Sequence, residues 1–144
     1  MLLVLGLGVA LALSIATGPG SGLPATWAIG SLETIETAQQ MFHERDADND
    51  GVANFATLEE LARANLIDPV LGSGTKQGYR YEVGPGADAT KDWMAIASPL
   101  EGATSESRGF AITADGSIFW TSSGVATITS DCRPPKGWRR LGER

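Results

Sequence analysis

Apolar side chains recur at steps of three and four between Ala28 and Phe42. Ala28, Leu32, Ile35, Ala38 and Phe42 fall on one stripe of a helix, while Glu33, Glu36, Gln40 and Glu44 fall largely outside it. The pattern then changes period. Tyr79-Arg80-Tyr81-Glu82-Val83 alternates as a strand does, with Tyr79, Tyr81 and Val83 on one face. Trp93 to Ala97 and Gly109 to Thr113 read as two more strands, and Asp115-Gly116 is a hairpin turn into Ser117 to Thr121. Val125 to Thr129 is a candidate edge strand. Consecutive strands joined by short turns predict an antiparallel meander, whose aromatic face needs a cover. The 28–42 helix carries the matching stripe. Between helix and sheet, Thr57-Leu58-Glu59-Glu60 is a capping box opening a short helix to about Ala64, and Leu66 to Leu71 reads as a packed loop.

The N-terminal pattern is of another kind. Leu2 to Ala16 is apolar apart from Ser14, and no charged side chain precedes Glu33. About fifteen residues is short for a membrane span and suits a signal-peptide core, with Ser14-Ile15-Ala16 offering small residues for cleavage. No Lys or Arg stands before the run, which leaves an uncleaved anchor extended toward Leu23 as the alternative. Either way the segment directs the chain out of the cytoplasm. Gly18, Pro19, Gly20, Gly22 and Pro24 then break any helix and read as a linker. The expected organisation is a hydrophobic signal or membrane anchor (1–16), a Gly/Pro linker (17–24), an α+β domain (25–130) and a basic, irregular tail (131–144).

Charge narrows the partners. The 144 residues carry a net charge of −6, which disfavours gripping nucleic-acid phosphates. From Asp131 onward the tail is about +3, so the rest is about −9. Cys132 is the single cysteine; the single histidine, His43, sits on a helix among acids, far along the chain from it, and reads as a surface helix residue rather than the base of a nucleophile. No paired carboxylates, zinc spacing or phosphate loop appears, so no catalytic residue is assigned and the chain reads as a non-enzyme.

One cluster does suggest chemistry. Asp46, Asp48 and Asp50 with Gly51 match the first half of a calcium loop, where alternate residues point inward and glycine takes the turn. Val52 can add its backbone carbonyl and Asn54 a side-chain oxygen. Position 12 of such a loop is Thr57 here, where a bidentate glutamate normally closes the shell, and Glu59 and Glu60 come two and three residues late. A calcium ion held by Asp46, Asp48, Asp50, Val52 and Asn54 is therefore one expectation, and a plain Asp-rich turn between two helices is the other.

The order of these elements resembles the type IV pilin-like family, including the pseudopilins of type II secretion. The stretch Ala28-Ile29-Gly30-Ser31-Leu32-Glu33-Thr34-Ile35-Glu36-Thr37-Ala38-Gln39 is similar to a recurring segment of that group. So are the 46–51 loop, Gly78-Tyr79-Arg80-Tyr81 and the 110–120 hairpin. The chain departs from it in lacking the processing motif and the following glutamate within residues 1–16, and in the Gly18–Pro24 break. The resemblance implies a pilin-like α+β fold and a non-enzymatic structural or accessory role in a bacterial cell envelope. It implies as partners other pilin-like subunits or envelope secretion components, and the inner membrane through the N-terminal segment. The alternative is a secreted or periplasmic calcium-binding module that recognises a ligand.

Overall fold

The computed structural model describes residues 25–86, 88–100, 108–122 and 126–142, so the apolar segment 1–16 and the linker 17–24 lie outside the described residues. One long helix, α1 (Ala25–Arg45), is followed by two short ones, α2 (Leu58–Arg63) and α3 (Pro69–Gly72). Six strands then run in sequence: β1 (Thr75–Lys76), β2 (Tyr79–Pro85), β3 (Trp93–Pro99), β4 (Gly109–Thr113), β5 (Ile118–Thr121) and β6 (Arg139–Arg140). They form one sheet in the order β1-β2-β3-β4-β5-β6, every neighbour antiparallel. The chain is α+β; from β1 to β5 the connections are too short for a crossover, which leaves only antiparallel neighbours, while the longer 122–138 stretch brings β6 back antiparallel beside β5.

The helix runs three residues beyond the periodic stripe at each end. Ala28, Leu32, Ile35, Ala38 and Phe42 are all buried, against Tyr79, Tyr81, Trp93, Ala95, Ala97, Phe110 and Ile112 of the sheet. Among the described residues no helix is long and apolar enough to cross a membrane. The capping box at Thr57 forms as expected: Glu60 N donates to Thr57 Oγ1 and Thr57 N to Glu60 Oε1. The stretch read as a packed loop instead holds a helical turn, α3, because Asp68 caps it and Pro69 suits its first position.

The sheet is covered on both sides, which corrects the edge strand expected over Val125–Thr129 for residues 126–129, Val125 lying outside the described residues. Residues 93–98 of β3 are all buried, so Met94 and Ile96 need a cover on the face turned away from α1. Ala126, Ile128, Cys132 and Trp138 supply it, and residues 126–129 join no strand. Arg139–Arg140, within the tail read as irregular, take the edge position beside β5. Gly84 makes the close approach possible: a Cβ there would stand 2.3 Å from Ile128 Cγ2. Gly84→Ala is accordingly expected to lower stability by about 1–2 kcal/mol through overpacking, read as a lower urea midpoint. An unchanged midpoint would show that residues 126–129 do not press on the sheet.

Candidate metal centre

The acidic loop begins where α1 stops. Asp46 leaves the helix with φ 47°, Asn49 follows at φ 57° and Gly51 at φ 81°, three left-handed residues of the types that tolerate it best. Their hydrogen bonds wind the loop tightly. Asn49 N donates to the Asp46 carbonyl at 2.7 Å, Gly51 N to Asp46 Oδ2 at 2.8 Å, and Val52 N to Asp50 Oδ1 at 2.8 Å. The result brings one carboxylate oxygen each of Asp46, Asp48 and Asp50 within 4.8 Å of one another.

Three like charges then crowd the negative end of the α1 dipole, an arrangement that repels itself and attracts a cation. The Gly51 N–H holds the Asp46 carboxyl below the usual range. Asp48 is pushed up by desolvation in the loop and by its hydrogen bond with Asp46, so it is the member that takes a proton most readily. Two oxygens of the loop have neither water access nor a hydrogen-bond partner: Asp46 Oδ1 and Asn54 Oδ1. Hard, oxygen-only donors with two of them unpartnered fit calcium chemistry. Val52 offers a carbonyl already accepting from Asn54 N at 3.0 Å. The far side of the shell is open, because Thr57 and Glu60 are engaged in the α2 cap and Glu59 pairs with Arg63 at 2.5 Å.

The loop is pinned at its exit by residues that the sequence does not mark as functional. The Gln39 side chain, fully buried in α1, donates to the Ala56 carbonyl at 2.7 Å and accepts from Ala56 N at 2.8 Å. Phe55 stacks on His43, ring centroids 4.4 Å apart, and its N–H donates to the Ala89 carbonyl. His43 Nε2 lies 3.0 Å from the Thr90 carbonyl. These contacts tie α1, the loop and the β2–β3 turn together, and give His43 a structural place.

Cys132 sits on the opposite face of the sheet from the Phe55–Trp93 side, in the cluster with Met94 and Ile96. Burial, with Asp92 and Asp131 nearby, pushes its thiol up, which removes nucleophilic character. Beside it lies an open groove of about 640 Å³. Its carboxylates are turned onto their own chain: Asp92 accepts from Trp93 N, Asp115 from Thr113 Oγ1 and Ser117 N, Asp131 from Arg133 N. The aspartate loop is thus the place where donors converge. No protein-family model, curated protein or solved structure matches this chain.

Proposed function

We propose that the protein is a non-enzymatic structural or accessory component of the cell envelope, similar to a minor pilin or pseudopilin, whose acidic loop takes a calcium ion. The observation that carries this reading is the long helix laid along an antiparallel meander with the aspartate loop closing its C-terminal end. A protein of this class acts by holding a shape, and the donors converge at a junction of three elements rather than in a substrate cleft. Its partners are then other pilin-like subunits or envelope secretion components, with residues 1–16 as the tie to the inner membrane. Cell fractionation with N-terminal sequencing tests it: a mature chain starting near Thr17 and free in the periplasm would exclude membrane-based assembly.

Calcium is expected to raise the melting temperature. With an open shell, affinity falls near the weak end for such loops, about 10⁻⁴–10⁻³ M. Calcium at ten times Kd then adds about 1.4 kcal/mol, a shift of a few degrees. Asp48→Ala removes a donor and is expected to abolish the shift, and magnesium is expected to give less of it. Because Asp48 protonates more readily than an ordinary aspartate, the calcium effect should fade as pH is lowered toward its raised pKa. No change in melting temperature at 10 mM calcium would remove the ion from the proposal. The unpartnered oxygens favour one second reading, an exported calcium-binding module. It predicts a mature chain released from the membrane that keeps the calcium response.

A further inference from the structure

Acidic side chains crowd one end of α1. At its C-terminal end stand Glu44, Asp46, Asp48 and Asp50. Toward the other end, one row of paired residues crosses the sheet: Tyr81, Ala97, Phe110, Trp120, Arg139. At its β2 end this row is level with the second turn of α1, since the Tyr81 hydroxyl is beside Ser31. The Trp120 ring has the Arg108 guanidinium 4.6 Å from its centroid and that of Arg139 at 5.6 Å. Both arginines are exposed, and among the described residues neither has a carboxylate partner. Arginine held against an aromatic ring keeps its planar fork of N–H donors at the free edge, preset for a phosphate. Two positive charges share one indole in a chain with an excess of acids, and that arrangement invites an anion.

We infer that Arg108, Trp120 and Arg139 form a platform that seats the domain on an anionic phospholipid surface, the phosphates lying against the two guanidiniums. This rests on the membrane-anchor part of the proposed function. The chain enters the domain at Ala25, at this end, and the eight linker residues reach at most about 26 Å from the apolar run. Trp27, two residues into α1, is 42% exposed at the same end, and tryptophan favours the membrane interface. The acidic loop does not prevent docking. Ser31 to Asp46 is 15 residues of helix, roughly 22 Å, more than two screening lengths at physiological salt. In the docked state the acidic loop points outward, away from the lipid.

The test uses the full chain reconstituted into phosphatidylcholine vesicles or into a 7:3 mixture with phosphatidylglycerol, both carrying a nitroxide-headgroup lipid that quenches tryptophan. Two basic side chains at the surface shift the docked-to-undocked ratio roughly 30-fold. Quenching is expected to be stronger in the anionic vesicles, and to fall to the neutral level in 0.5 M NaCl and in the Arg108→Gln/Arg139→Gln variant. The Arg108→Lys/Arg139→Lys variant, which keeps the charge and loses the fork, is expected in between. Equal quenching of wild type in the two lipids, or of wild type and the glutamine variant in the anionic one, overturns the inference. Flotation on neutral vesicles reads the anchor separately. A chain that floats only with anionic vesicles, and only with both arginines, loses the anchor and keeps the platform. If the glutamine variant instead changes the light-scattering mass with quenching unchanged, the arginines serve a contact between copies and the lipid inference fails.

Discussion

Gln39→Leu is expected to lower stability by about 3 kcal/mol, a drop in melting temperature on the order of 10 °C. Leucine fits the volume and suits the neighbouring stripe, so a view based on hydrophobicity predicts a gain. The loss comes from the other partner. Ala56 is 3% exposed, and its N–H and carbonyl both bond to the Gln39 amide. Without that amide two buried backbone groups stand unpaired, each costing about 1–3 kcal/mol. Gln39→Glu separates geometry from charge. As a carboxylate it accepts from Ala56 N but faces the Ala56 carbonyl with no proton to give; when protonated it makes both bonds. Its folded pKa is therefore raised above the unfolded value near 4.3, the folded state binds the extra proton, and stability falls as pH rises through that range. The glutamate variant should melt closer to wild type at pH 4 than at pH 7. If leucine is as stable as glutamine, the clamp does not hold the loop.

Gln39 also shows where the sequence stops being informative. The stripe from Ala28 to Phe42, the strands and the Asp115–Gly116 turn were legible because burial on one side imposes a period that side-chain type records. A side chain whose partner is a backbone amide leaves no such record, since any residue presents the same N–H and C=O. Gln39 read as one more polar position on a helix. Ala126 and Ile128 looked like an edge strand because apolar residues beside a sheet suit a strand. The continuous burial of residues 93–98 called instead for a second cover, which took those side chains and left the edge to Arg139–Arg140. The aspartate spacing did place three donors together. What it left open was the loop's far side, and the cause is local: the two glutamates that follow are engaged elsewhere, Glu60 in the α2 cap and Glu59 with Arg63.

That difference between satisfied and unsatisfied buried polar atoms yields the second large effect, of opposite sign. Tyr79 and Tyr81, 0% and 2% exposed, lie side by side under α1 with ring centroids 6.4 Å apart; the Tyr79 hydroxyl has no hydrogen-bond partner, while that of Tyr81 lies beside Ser31. Taking a hydroxyl out of water without a partner costs about 1–3 kcal/mol, so removing it should be stabilising. Tyr79→Phe is expected to add about 1 kcal/mol, and Tyr81→Phe, which also gives up the Ser31 contact, less. Alkaline pH supplies an independent check. Burial first, then the neighbouring Tyr81, push the Tyr79 phenol up to about 12, against the opposing pull of Arg108. An unfolded tyrosine ionises near pH 10, so above that pH the unfolded chain gives up the proton first. Stability then declines by on the order of 2 kcal/mol as pH approaches 12. Tyr79→Phe should flatten this decline, while Arg108→Gln should steepen it. A lower melting temperature on removing the Tyr79 hydroxyl would assign it a buried water as partner, because only a group that makes hydrogen bonds is missed when it is gone.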